Sequence, residues 1–133
     1  MILGVGIDLV GVARMRDMLA QGFADRFFTS AEQAHVRAGA NSAERAAGIF
    51  AAKEAMLKAL GTGIAGIGLL AVSVAHDALG APVALLQGEA AQRLAALGGG
   101  AMRLSITHSE GVAVAVAIAE GTDAAAWKTE AEP

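Results

Sequence analysis

Large and small positions alternate along the first ten residues, with Leu3, Val5, Ile7 and Leu9 on one side and Gly4, Gly6, Asp8 and Val10 on the other. A period of two predicts a half-buried strand over residues 2–10. Asp8 then shares a face with two glycines. That face leaves room for a group to approach the carboxylate, although glycines in a strand equally serve close backbone packing. Residues 11–20 change to a helical period and put Arg14 and Met18 four apart on one side. Ser30-Ala31-Glu32-Gln33 has the form of a capping box for a short helix that Gly39 ends. Asn41-Ser42-Ala43-Glu44 has the same form and opens the longest helical segment, through Leu60, with Gly61-Thr62-Gly63 as its stop. Residues 69–76 alternate again, Leu70, Val72, Val74 and His76 sharing a face, and Leu79-Gly80-Ala81-Pro82 is a turn before residues 83–86, so a hairpin is predicted. A short helix follows over 89–97, then a flexible loop at Gly98-Gly99-Gly100. Two strands close the pattern, joined through His108-Ser109-Glu110-Gly111; in the second, over 112–119, valines and an isoleucine interleave with alanines and both faces read as buried. The pattern ends near residue 120, so residues 1–120 read as one domain and 121–133 as a C-terminal tail.

Composition narrows the class. The chain has 133 residues, 55% of them apolar and 17% charged, which suits a single globular core and argues against disorder. The apolar residues are mostly alanine, valine and leucine, so the core is built from small side chains and burial against a sister subunit is a plausible source of further stability. With no cysteine, disulfides, thiolate metal sites and cysteine nucleophiles are excluded, and a reducing, cytoplasmic setting is expected. Asp8 interrupts the first apolar run, no basic segment precedes it, and no run reaches membrane-spanning length, so neither a signal peptide nor a membrane anchor is expected. The net charge of −3 argues against broad nucleic-acid binding, yet Arg14, Arg16 and Arg26 lie near the front of the chain, where an anionic partner could meet them.

The candidate chemistry lies in three places. In the long helix, Phe50, Glu54 and Lys58 fall in one row that ends at Gly61. The row reads either as a surface Glu-to-Lys pair or as a carboxylate and an ammonium serving a site. Asp8 reads either as a cap on the following helix or as a second carboxylate, and two carboxylates from separate elements can hold Mg²⁺, which keeps waters and binds substrate phosphates. Lysine and helix-end amides could then take the remaining phosphate charge. His108 ends a strand; His35 and His76 read as surface residues. Neither zinc-hydrolase histidine spacing nor a P-loop occurs.

Three segments together resemble the holo-acyl-carrier-protein synthase family, the small phosphopantetheinyl transferases: Gly6-Ile7-Asp8-Leu9-Val10, the helical Phe50-Ala51-Ala52-Lys53-Glu54-Ala55 with Lys58 and Gly61-Thr62-Gly63, and Ser105-Ile106-Thr107-His108-Ser109. The resemblance implies an α+β fold, a long central helix packed on a mainly antiparallel sheet, assembled as a trimer with an active site at each subunit interface. It implies transfer of 4′-phosphopantetheine from coenzyme A to a serine of apo-acyl carrier protein, as in fatty acid biosynthesis, with Asp8 and Glu54 as Mg²⁺ ligands. Lys58, Gly61 and His108 match positions lining the coenzyme A pocket, and Asp8, Glu54 and Lys58 form the catalytic set, with Glu54 or a water on the metal as base. Arg14 and Met18 match the surface that receives the acidic carrier, and Arg26 extends it. Three positions depart from the pattern. Ile49 stands where an arginine is frequent, so Arg45, four residues back on the same helix, is the candidate for the missing phosphate contact. Leu57 replaces a frequent serine, and Gly11 an acidic residue. A transferase dedicated to a polyketide or peptide-synthase carrier, or a non-catalytic binding protein of the same fold, is the alternative.

Overall fold

The computed structural model describes residues 1–63 and 66–122. Its organising element is the helix α4, Ser42–Ala59, which carries so many alanines that neighbours can approach its backbone. Against it lies an antiparallel sheet of three strands in the order β1-β5-β4: Ile2–Gly11, Val112–Gly121 and Gly99–Ser109. Ala113, Ala115, Ala117 and Ala119 of β5 point toward α4 and are buried, while the side chains of Val112, Val114, Val116 and Ile118 are only half-buried. The expectation that both faces of this strand are buried therefore holds for one face within a single chain.

The buried side of β1 is the small one. A Cβ added at Gly4 would stand 1.9 Å from the Ala59 carbonyl oxygen, and one at Gly6 1.8 Å from that of Ala55. Of the two readings of these glycines, close backbone packing is the one observed. Val5, Ile7 and Leu9 consequently face outward, 58%, 58% and 60% exposed.

Helices α1, Val12–Ala20, and α3, Ser30–Arg37, agree with expectation, and a short helix α2, Phe23–Phe27, lies between them unforeseen. A 3-10 turn over Leu69–Ala71 leads into the hairpin β2–β3, Val72–His76 paired with Pro82–Leu86, followed by α5, Gly88–Ala96. Gly99 and Gly100 are not loop; they begin β4 and are followed in it by the pairs Met102–Ala119 and Leu104–Ala117. The residues of the expected tail from 123 onward lie outside those described.

Neither capping box stands as expected: the first moves by one residue and the second is not formed. Thr29, not Ser30, is the N-cap of α3: its side chain accepts from the Glu32 amide, and Glu32 Oε1 accepts from the Thr29 amide at 2.9 Å. Asn41 precedes α4 without a side-chain cap, and Glu44 turns to His108 instead. Glu32 does more than cap. Its Oε1 lies 2.6 Å from Lys53 Nζ, its Oε2 accepts from the Val74 amide at 2.9 Å, and Lys53 also donates to the Phe27 carbonyl oxygen at 2.7 Å. Both side chains are fully buried, and each charge is satisfied by the other and by backbone. Burial pulls the Lys53 proton affinity down while Glu32 holds it up. This pair ties α3 and β2 to α4, so the lysine of the long motif has a structural task.

Candidate active site

Close contact between β1 and α4 sets the geometry. Because Gly4 and Gly6 let the strand touch the helix backbone, Asp8, next but one on the same face, arrives beside Glu54 and Lys58. Lys58 Nζ donates to Asp8 Oδ1 at 3.2 Å and to the Ile7 carbonyl oxygen at 2.9 Å. The lysine thus pairs with the strand carboxylate, not with Glu54 in its own row. Asp8 does not cap α1, whose N-cap is Gly11 without a side-chain bond.

Glu54 is partly buried. Its proton affinity is raised first by that burial and then by the negative charge of Asp8, against the opposing pull of Lys58 and of Arg14 on α1. Two carboxylates that repel each other across a gap flanked by two cations suit a divalent cation shared with an anionic substrate. Among the described residues no group of three or more histidine or acidic side chains gathers as a metal site. As a donor set, the two carboxylates of Asp8 and Glu54 fit Mg²⁺, which takes one or two carboxylates and fills its shell with water and phosphate oxygens.

Gly61, at φ 75°, ends α4 in a Schellman arrangement: its amide returns to the Lys58 carbonyl oxygen at 3.0 Å and the Thr62 amide to that of Leu57 at 3.1 Å. These helix-end amides are spent within the chain, so they are not the free phosphate donors that the sequence suggested. Arg93 of α5, which sequence reasoning passed over, donates Nε to the Leu60 carbonyl oxygen at 2.9 Å and closes the same helix end.

The other expected site residues lie elsewhere. Arg45 precedes Glu54 by nine positions, about two and a half turns at 3.6 residues per turn, and so projects from the opposite face of α4. There it lines a cleft of about 210 Å³ with His35, Glu44, Ile49, His76 and His108. His108 Nδ1 is 3.1 Å from Glu44 Oε1. Ile49, 2% exposed, belongs to the core and supplies no polar group. Asp8, Glu54, Lys58 and Arg14 thus form one cluster, Arg45 and His108 another, and a single chain does not bring them together. Of the carrier-facing residues, Arg14 is exposed, while Met18 and Arg26 line a shared groove with Gln21 and Phe23. The Arg26 guanidinium sits 5.0 Å from the Phe27 ring centre. His35 and His76, read as surface residues, are stacked in the cleft; being 41 positions apart, they gave no local signal.

Residues 4–117 match the family model described as the 4′-phosphopantetheinyl transferase superfamily. The chain belongs to that family. Its holo-[acyl-carrier-protein] synthase members include a Treponema denticola protein 45% identical over 123 residues, spanning 91% of this chain and the whole of that one. Among solved structures, the Neisseria meningitidis holo-[acyl-carrier-protein] synthase superposes with a TM-score of 0.81 at 34% identity, covering 90% of this chain and 99% of that one. The Helicobacter pylori holo-[acyl-carrier-protein] synthase, solved in complex with coenzyme A, gives 0.77 at 28% identity, covering 87% and 99%. The α+β fold of the phosphopantetheinyl transferases is the one described above.

Proposed function

We propose that this chain transfers 4′-phosphopantetheine from coenzyme A to a serine of an apo-acyl carrier protein, using Mg²⁺ held by Asp8 and Glu54. The observation that carries the reading is the meeting of these two carboxylates with Lys58 in a family of transferases: Asp8 bonded to Lys58, Glu54 with its proton affinity raised beside them. In the reaction, the serine oxygen attacks the phosphorus that bears the pantetheine arm, the bond to the bridging oxygen breaks, and adenosine 3′,5′-bisphosphate leaves. Lys58, half exposed, is free at its remaining donor to neutralise charge on the leaving phosphate. The serine proton passes to a base in this cluster, either the Glu54 carboxylate, whose proton affinity is raised by burial, or a water beside it. When bound, Mg²⁺ supplies further neutralisation of the pyrophosphate.

The division of the site residues over two faces of α4 supports assembly. Arg45 and His108 serve the coenzyme if a neighbouring copy presents them to the carboxylate cluster, as in a trimer with interfacial sites. The outward Val5, Ile7 and Leu9, beside the half-buried Val114, Val116 and Ile118, form an apolar sheet face suited to a second copy. Arg14, Met18 and Arg26 form the surface for an acidic carrier, residues 1–120 are the working unit with 121–133 as a tail, and the compartment is the cytoplasm.

The test is intact-mass spectrometry of apo-acyl carrier protein incubated with the protein, coenzyme A and Mg²⁺, beside a chelator control. A metal-dependent gain of one phosphopantetheine is expected, with fatty-acid and polyketide carriers compared in parallel. Asp8→Ala and Glu54→Ala are expected to abolish the gain while leaving the fold intact by circular dichroism. Near-normal transfer by either variant refutes the metal assignment.

A further inference from the structure

Lys53 and Glu32 are the two fully buried charged side chains among the described residues, and the reaction uses neither. Lys53 stands next to Glu54 on α4, yet its ammonium bonds to Glu32 and to the Phe27 carbonyl oxygen, 2.7 Å away. Phe27 is the last residue of α2, and a helix leaves its final carbonyls without an intrahelical partner. An ammonium at that point fills the acceptor and opposes the negative end of the helix dipole. Lys53 therefore caps the C-terminus of α2 from within another helix. Its carboxylate partner is itself fixed, because Glu32 accepts from the Thr29 and Val74 amides, each at 2.9 Å.

Helix α2 needs such support. It has five residues, none of them buried, and it is entered through Gly22 at φ 84° without a side-chain cap. A helix this short does not persist alone, since so few internal bonds cannot offset the ordering of the chain. Two contacts fasten its two ends to α4: the Phe23 ring meets Phe50 edge-on, ring centres 5.0 Å apart, and the Phe27 oxygen meets Lys53. Arg26 lies between these anchors, exposed, with its guanidinium 5.0 Å from the Phe27 ring centre. Phe23 and Arg26 line the groove that also takes in Met18 and Gln21.

We propose that Lys53 and Glu32 are positioning residues for the carrier protein: by capping α2 from α4, they hold Arg26 and Phe23 in the groove that receives an acidic partner. The carrier as occupant of that groove comes from the transferase reading, on which this inference rests. One turn of α4 then serves two tasks. Glu54 faces the reaction centre and Lys53 anchors the docking groove, so the incoming serine and the carboxylate are placed from the same stretch of backbone.

Steady-state transfer by a Lys53→Met/Glu32→Gln double variant tests this, with carrier and coenzyme A varied in turn. Replacing both members leaves no uncompensated charge in the core. The carrier KM should rise roughly tenfold, the scale of one charge-assisted hydrogen bond, while kcat and the coenzyme A KM stay within about twofold of wild type. Arg26→Ala should raise the carrier KM in the wild-type background and change it little in the double variant, where an unanchored α2 has already released the guanidinium. An unchanged carrier KM, a fall in kcat alone, or full additivity with Arg26→Ala overturns the inference. Hydrogen exchange of the wild-type protein adds a measurement that needs no variant. The Phe28 amide, bonded to the Ala24 carbonyl oxygen at 3.0 Å, should exchange far more slowly than a free chain, and exchange at the free-chain rate would show that α2 is not anchored. Transfer by the wild-type protein with an unshifted carrier KM in the variant overturns the positioning role alone; no transfer by the wild-type protein overturns the transferase reading and this role together.

Discussion

Glu54 is held in the folded chain in a state it would not choose. Its proton is bound more tightly in the folded than in the unfolded state, so ionisation costs stability above the folded pKa, and the cost vanishes below about pH 4, where both states are protonated. Glu54→Gln is therefore expected to melt higher than the wild-type protein at pH 7 without metal, the gap closing as the pH falls toward 4. Adding Mg²⁺ should raise the wild-type melting temperature and leave that of the variant unmoved. A variant less stable at pH 7, or equally responsive to Mg²⁺, contradicts the account. At this scale the sequence was partly legible. Helical spacing placed Glu54 and Lys58 in one row, but the partner of Lys58 is Asp8, 50 positions away, and only the packing of strand on helix reveals it. The histidine pair was illegible for the same reason.

Between elements, the decisive contact is β1 on α4. Gly6→Ala places a methyl carbon where the Ala55 carbonyl oxygen already stands, and neither backbone can yield without parting the strand from the helix. The expected cost is on the order of 1–3 kcal/mol or more in urea unfolding, with transfer lost because Asp8 is carried away from Glu54. Normal transfer by a Gly6→Ala protein would show that the close approach does not position the carboxylate. Alternation along residues 2–10 announced the strand but not which side of it meets the helix. That choice depends on α4: an alanine-rich surface accepts glycines at backbone contact and leaves the valine, isoleucine and leucine side outward. Periodicity also missed α2, whose five residues are too few to show a helical pattern, and absorbed Gly99 and Gly100 into a loop because the pairing of β4 with β5, which starts at Gly99 opposite Gly121, is non-local.

For the molecule as a whole, the outward apolar face of β1 is the feature a single chain leaves unsatisfied. Ile7→Lys puts an ammonium in the middle of that face, opposite Val116. Light scattering should show the wild-type protein as a trimer and the variant as smaller species, with transfer falling in step; unchanged mass and activity would remove the assembly argument. The apolar bias toward small side chains had already suggested a need for a sister subunit, while its location became visible only with the strand orientation. The two faces of α4 carry a further implication for inheritance. Where one copy lends its carboxylates and the next its arginine and histidine, lesions on opposite faces of the helix are not equivalent alleles. A chain broken at Asp8 and a chain broken at His108 could each be inert alone and yet restore one another when co-expressed, because mixed assemblies would contain some sites built from the two sound halves.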